Sequence, residues 1–356
     1  MRNFAKLPYL CQRSRNGKIL CHRFFEKDPF LDGHWVESNE MKRILVTGAS
    51  GFVGRPLCQS IQEKGIRVIA LNRSTHSGPW DDEIVADITE LTFNTRLEQC
   101  DAAIHLAGIT HSDDIDRYEC ERINVTGTIQ LVESVIAAGI KRFIFVSSAK
   151  AIRFAETVML KEDSYGQSKY HAELELHRLA ESAKIELTII RPALIYGVGV
   201  KGNLDRMIKA IYRGWLPPLP ETDHGISMIS VNDVVEAINT ILSNEVTISQ
   251  TYTLTDNQVY SARRIYNEIT AGFDRKLPKW YLPMPLIQSA AFMGDLIGKL
   301  FNTRLPINKE VVDKLFADFH YPSNEITQDT GWQPTQVLAD VLPSIISQYL
   351  ESAHKL

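Results

Sequence analysis

Residues 41–57 read "MKRILVTGASGFVGRPL", and the seven residues from Gly48 to Gly54 decide how the rest of the chain is read. "RILVTG" is a short β-branched run, the pattern of a strand buried on both faces. "RPLCQSIQEKG" follows with helical spacing and stops at Gly65, and "IRVIALNRS" predicts a second strand. Strand, glycine turn, helix, strand is the first unit of a dinucleotide-binding fold. Gly48 permits the tight turn, Gly51 lets the backbone approach a pyrophosphate, and Gly54 lets the helix pack close to the strand. Ser50, Phe52 and Val53 complete a loop whose free N–H groups and helix dipole favour an anion.

The end of the second strand chooses the nucleotide. A carboxylate there would bind the ribose 2′-hydroxyl of NAD. The chain has Asn72 and Arg73 instead, and a guanidinium can pair with a 2′-phosphate, so the sequence leans to NADP over NAD. Downstream, "EIVADI" predicts a strand ending in Asp87 and Ile88, placed to contact adenine. "AAIHLAG" ends at Leu106, Ala107 and Gly108, whose small side chains would let a cofactor pass. "RFIFVSSA" ends at Ser147 and Ser148, and "ELTIIRPALIYG" follows a long amphipathic helix. Strands alternating with helices, with polar motifs at the strand C-terminal ends, predict an α/β, Rossmann-like doubly wound parallel sheet with its site at that edge.

Composition narrows the field without naming a function. The chain has 356 residues, 44% hydrophobic and 23% charged, with a net charge of -4. A nucleic-acid surface would normally be basic, so no nucleic-acid partner is expected. No run is long and apolar enough to span a membrane. The best candidate, "YLPMPLIQSAAFMGDLIGKLF", is interrupted by Pro283, Pro285, Asp295 and Lys299 and reads as a core or groove-lining helix, with a membrane-surface role as the alternative. The five cysteines have no metal-ligand spacing, so no metal is expected and free thiols in a reducing, cytoplasmic setting are the default. Residues 1–40 are rich in basic residues at their start and show no clear helical or strand period. They are read as a disordered leader or a misassigned start.

"YGQSKYHAELELHRLAE" places Tyr165 and Lys169 at i and i+4, on one face of a helix. A phenol titrates near 10 and is a poor acid or base at neutral pH. A neighbouring ammonium, together with an oxidised nicotinamide, would favour the phenolate. Tyr165 then donates a proton to a carbonyl during reduction and accepts one during oxidation, while Ser148 hydrogen-bonds the same oxygen. The YxxxK spacing carries little weight alone. It becomes specific after a glycine loop and a strand ending in serines.

With these motifs in order, the chain from Met41 to about Leu350 resembles the extended short-chain dehydrogenase/reductase family, the NAD-dependent epimerase/dehydratase group. The matching runs are "TGASGFVG", "HLAG", "INVTGT", "FVSSAK", "YGQSK", "RPALIYG", "GN", "VNDVVEAI" and "TGWQP". Two further segments look most like bacterial nucleotide-sugar epimerases and 4-keto reductases of surface-polysaccharide gene clusters. The resemblance implies that Ser148, Tyr165 and Lys169 are catalytic and that Lys169 also holds the nicotinamide ribose. It implies that Pro192 and Ala193 flank the nicotinamide and that Asn203 reaches the substrate. Asn124 falls where relatives have a buried Asn near the site, and a capping or packing role is equally open.

Three departures qualify the resemblance. The segment between Ser148 and Tyr165 is short. Ile226 stands where relatives carry an Arg for the substrate's pyrophosphate, with Lys201, Arg206 or His224 as substitutes. Ala149 and Lys150 stand where a dehydratase has an Asp–Glu pair, which disfavours water elimination. The sequence therefore predicts a leader (1–40), an NAD(P)-binding Rossmann domain with the catalytic residues (41–197), and a smaller C-terminal region (198–356), mainly substrate-binding. "ISVNDVVEAINTIL" is read as a strand and helix returning to the main sheet. The expected activity is NAD(P)-dependent reduction or epimerisation of a nucleotide-linked 4-keto sugar, reduction first. Reduction of another small ketone or alcohol and non-catalytic cofactor binding are the alternatives. A homodimer is left open.

Overall fold

A computed structural model describes residues 10–13, 19–22, 41–91, 95–110, 117–156, 163–301 and 308–353. The chain divides into two units, 1–40 and 41–356. In the first, β1 (Leu10–Arg13) pairs antiparallel with β2 (Ile19–His22), although the sequence there shows no strand period.

The second unit opens with β3 (Arg43–Thr47), β4 (Arg67–Asn72), β5 (Asp82–Val85), β6 (Ala102–His105), β7 (Arg142–Val146) and β8 (Glu186–Pro192). It continues with β9 (Leu194–Tyr196), β10 (Ile226–Ser230), β11 (Thr251–Leu254) and β12 (Val259–Tyr260). Seven of these form one sheet in the order β11-β8-β7-β6-β3-β4-β5. Every pairing in it is parallel. The chain runs from β3 outward to β5, then crosses back to β6. That reversal is a topological switch point, and the glycine loop lies at it.

The β-branched and aromatic strands bury both faces, which is why their sequences read as continuous apolar runs. Ile44, Val46, Ala70, Ile104 and Ile144 pack under the helices Gly54–Glu63 and Val231–Leu242. Leu45, Ile69, Ala103, Phe143 and Phe145 face the other way, toward Leu131 and Val135 of Gly127–Ala137 and Ala172 and Leu176 of Ser164–Ala183. A third core joins the helices Asn203–Tyr212, Ala262–Gly272 and Leu338–Ala353 around Met207, Ile265 and Leu342.

Three expectations change. "ELTIIRPALIYG" is two strands, not one: β8 stays in the main sheet, and β9 leaves it. At the break, Ala193 N donates to Leu254 O of β11 at 3.0 Å. The "ISVNDV" strand does not return to the main sheet; β10 pairs with β9 and β12 in a separate three-stranded sheet. The strand that does return is β11, while the helix after β10 packs on the main core. Finally, β5 stops at Val85, so Asp87 and Ile88 lie just beyond it.

Candidate active site

The glycine loop begins where β3 ends. Gly48 has φ +68°, and a Cβ there would lie 2.8 Å from Ala107 N, so the loop and the end of β6 meet backbone to backbone. A Cβ on Gly54 would fall 2.1 Å from Gly48 O. Gly54 is therefore needed where the first residue of the helix closes on the backbone just after β3. Gly51 is exposed, its N–H donating to Gly48 O at 2.9 Å. Ser50 N donates to Asn72 Oδ1 at 3.3 Å. Phe52 reaches toward Gly197, whose Cβ would lie 3.4 Å from its ring. Val53 precedes the helix and is half-buried.

At the end of β4, Arg73 is exposed and Asn72 is buried. β4 itself carries no carboxylate there, as read, but the neighbouring strand supplies one. Glu83 of β5 accepts from Asn72 Nδ2 at 2.7 Å and from His76 N at 3.1 Å. Cross-strand register, which the linear sequence does not display, brings this acid to the end of β4. Asp87 accepts from Thr89 N and Thr89 Oγ1, both at 2.8 Å, and these bonds together with Arg122 and Arg73 hold its carboxyl below the usual range. Ile88 is buried against Gly127.

The catalytic candidates converge at the ends of β6 and β7. Lys169 is buried, and its Nζ donates to Val146 O at 3.0 Å and lies 4.6 Å from the Phe145 ring centroid. Burial lowers its pKa to about 8, with Glu173 opposing the shift. Tyr165 is half-buried and hydrogen-bonded to the Ser148 side chain. Burial pushes its phenol up to about 12, and the Ser148 bond only partly offsets that. The lowering expected from Lys169 is not the ruling effect: the lysine is committed to a backbone carbonyl of β7. Ser148 also caps the short turn Ala149–Ala151, accepting from Lys150 N at 3.3 Å. Beside it, Ser147 Oγ is buried with no protein partner among the described residues. Pro192 and Ala193 are both buried at the end of β8. Asn203 is exposed at the start of its helix.

Asn124 sits in a π-helical turn, Arg122–Thr126, and is fully buried. Its Oδ1 accepts from Ile109 N at 2.9 Å; its Nδ2 donates to Ile109 O at 3.1 Å and to Ser168 Oγ at 2.9 Å. It thus joins the segment after β6 to the helix of Tyr165. Gly108 is required beside it: a Cβ there would lie 2.8 Å from Asn124 Oδ1 and 3.5 Å from Lys169 Nζ.

A second chain of bonds lies underneath. Thr128 Oγ1 donates its one hydrogen to Asn124 O at 2.7 Å, so it must accept from His105 Nε2, 2.9 Å away. His105 Nδ1 then accepts from Thr47 Oγ1 at 2.6 Å, which in turn accepts from Ala107 N at 3.1 Å. Burial and Lys169 keep the imidazole neutral, with its pKa well below the usual value. One helical turn beyond Lys169, buried Glu173 pairs with Arg191 of β8, Nε to Oε1 at 3.0 Å. None of these partners has a local sequence signature.

In the C-terminal region, Ile226 packs into the third core and bridges to Phe319. Arg153, overlooked in the sequence, stacks on the Phe319 ring at 3.9 Å. Lys150 pairs with Asp163 at 2.9 Å and lies 5.7 Å from the Tyr165 ring centroid. Part of the shortened loop, residues 157–162, lies outside the described residues.

The cradle fits a dinucleotide: Gly48 and Gly54 leave backbone bare where a Cβ would clash, and Ser147 Oγ is buried with no protein partner among the described residues. Among the described residues no His, Cys, Asp or Glu group is arranged for a metal, and no helix is long and apolar enough to cross a membrane.

Comparison with known proteins agrees. Residues 44–254 match the NAD dependent epimerase/dehydratase family. A UDP-glucose 4-epimerase of Vibrio cholerae is 28% identical over 88% of this chain and 97% of its own length. An N-acetyl-alpha-D-glucosaminyl-diphospho-ditrans,octacis-undecaprenol 4-epimerase of Escherichia coli O157:H7 is 26% identical over 80% and 88%. The crystal structure of a Thermotoga maritima UDP-glucose 4-epimerase with UDP-glucose superposes with a TM-score of 0.66 at 19% identity, covering 87% of this chain and 99% of that one. The chain belongs to the NAD dependent epimerase/dehydratase family and is an NAD-dependent enzyme of the extended short-chain dehydrogenase/reductase type.

Proposed function

We propose that the enzyme moves hydride at C4 of a sugar carried on a diphosphate, with 4-epimerisation as the leading outcome and reduction of a 4-keto sugar as the second. The observation that carries this reading is the Ser148–Tyr165 hydroxyl pair beside buried Lys169, next to the glycine loop. Epimerisation leads because both curated relatives above are named 4-epimerases. Both outcomes share one hydride step, so the expectation that reduction comes first gives way only in emphasis.

When bound, NAD supplies the hydride acceptor and donor. Gly48, Ser50, Gly51 and Phe52 would cradle its pyrophosphate, Asp87 and Ile88 its adenine, and Leu106, Ala107, Pro192 and Ala193 its path along the strand ends. Tyr165 enters reduction in the correct state: with a pKa of about 12 it holds its proton at neutral pH and donates it to the C4 oxygen. Ser148 shares that oxygen. For oxidation the phenol must lose its proton, and positive charge from Lys169 and an oxidised nicotinamide lowers its cost. Arg153, flat on Phe319 beside Ile226, offers the substrate's diphosphate a cation where the family's Arg is missing. Lys150, engaged by Asp163, supplies no acid for water elimination, which supports epimerase or reductase over dehydratase. NAD is preferred to NADP because Glu83 stands at the ribose end, against the pull of Arg73. The chemistry suits a cytoplasmic enzyme of surface-polysaccharide assembly.

The test is direct. The purified enzyme is incubated with UDP-glucose and with UDP-N-acetylglucosamine, and products are separated by anion-exchange chromatography. Formation of the C4 epimers, abolished in Tyr165→Phe, is expected. No conversion of either sugar, together with no oxidation of NADH by a 4-keto UDP-sugar, would reject the reading.

A further inference from the structure

The side-chain chain through His105 reaches past the ends of the strands it lies between. Thr47 and His105 are the last residues of β3 and β6 and stand opposite each other in the parallel register. The backbone ladder already holds these strands together. The chain runs on from Thr47 Oγ1 to Ala107 N, and from Thr128 Oγ1 to Asn124 O. Thr47, His105, Asn124 and Thr128 are all buried. Burying such groups is costly unless each is hydrogen-bonded, and apolar side chains would fill the same space without that condition. Here every hydrogen has one acceptor. Thr128 gives its own to Asn124 O, which fixes His105 as the tautomer protonated on Nε2 and leaves Nδ1 to accept from Thr47.

Both ends of the chain lie where the cradle is tightest. Ala107 N is the atom that a Cβ on Gly48 would meet at 2.8 Å. Asn124 Oδ1 is the atom that a Cβ on Gly108 would meet at 2.8 Å, with Lys169 Nζ at 3.5 Å. Asn124 comes from the π-helical turn Arg122–Thr126, and turns of this kind concentrate at functional sites. The His105 ring also stacks on Phe145, 5.5 Å between centroids, and Lys169 Nζ lies 4.6 Å from the same Phe145 centroid. The imidazole thus has one nitrogen directed to the glycine loop, the other to the π turn, and a face on the ring that carries the lysine.

We propose that His105 is a positioning residue for the dinucleotide: through its two ring nitrogens it holds Ala107 against the glycine loop and Asn124 against Gly108 together, so that a change at the π turn is felt at the cradle. This rests on the NAD dependence of the family and not on the choice of sugar.

Fluorescence titration of the full chain with NADH tests this. Thr128 is linked to the glycine loop through His105, so Thr128→Val, which keeps the shape and removes the hydroxyl, should weaken NADH binding about three- to tenfold, the value of one hydrogen bond. Thr128→Ser should recover most of that loss. In a Thr47→Val background, Thr128→Val should cost no further affinity, because the chain is already open there. A merely structural role would lower the melting temperature in both backgrounds and leave the affinity of the folded protein alone. Native NADH affinity in Thr128→Val, or an equal loss in both backgrounds, would overturn the proposal. Nitrogen NMR of the wild-type histidines keeps the test valid if the valine variants misfold. His105 should carry its proton on Nε2, and both its nitrogen resonances should move when NADH binds. A proton on Nδ1 instead, or resonances that NADH leaves in place, would overturn the proposal as well.

Discussion

Asn124 donates to Ser168 Oγ at 2.9 Å, and through that bond the π-helical turn holds the helix of Tyr165 and Lys169 against the end of β6. The same side chain satisfies both backbone groups of Ile109. Asn124→Ala would leave buried groups unpaired and should cost about 1–3 kcal/mol of stability. Turnover should fall as well, since Tyr165 loses its support, while the KM for the sugar moves little. Thermal denaturation and steady-state kinetics measure both effects. A variant with native stability and native rate would show that the bridge is dispensable.

Tyr165→Phe removes one hydroxyl and leaves the ring packed. It should lower turnover about 100- to 10,000-fold, as loss of a positioned acid does, with NADH affinity nearly intact. Ser148→Ala should be milder, because it removes one of two bonds to the same oxygen. Fluorescence titration of NADH alongside the rate separates the binding effect from the chemical one.

The proposed binding mode sets the nucleotide preference through Glu83. Glu83 accepts from Asn72 Nδ2, so a 2′-phosphate would be brought toward a carboxylate. NADH should bind more tightly than NADPH, and Glu83→Gln should shift the ratio toward NADPH by about tenfold, as loss of one charge contact of roughly 1.4 kcal/mol does. Arg73→Ala should shift it the other way. An NADPH preference in the wild type would restore the reading based on Arg73 alone.

Lys169 makes cofactor binding depend on pH. Its pKa is lowered by burial to about 8, so the ammonium is present below that pH and lost above it. NADH affinity should fall as pH rises through about 8, and Lys169→Met should flatten the profile. Stability runs in the opposite direction. The unfolded lysine holds its proton to about 10.4, so between these values the unfolded state binds more protons and raising the pH stabilises the fold. Titration of NADH and thermal denaturation across this interval give both slopes.

The fold was legible in the sequence because its signals are local. The glycine loop, the apolar strands and the i, i+4 spacing of Tyr165 and Lys169 each lie within a short window. What was not legible depends on neighbours distant in sequence. Nothing in "RPALIYG" marks Ala193 as the point where the chain changes sheets; that is set by β11, far downstream. Glu83 reaches Asn72 through strand register, and Arg153 finds Phe319 across a large sequence separation. Ile226 reads as apolar in the sequence, but its packing into the third core depends on partners far along the chain and is not legible there. The helix Met284–Phe301 shows the complementary limit. Its periodicity marks a two-sided helix without saying which side meets the protein.

The most direct measurement uses UDP-glucose deuterated at C4. Hydride removed and returned within one closed site stays with the sugar. The prediction is a C4-epimerised product that retains deuterium at C4 in ordinary water, formed by the wild type and not by Tyr165→Phe. Epimerisation with deuterium lost to solvent, or carried out equally well by Tyr165→Phe, would contradict hydride transfer governed by Ser148, Tyr165 and Lys169.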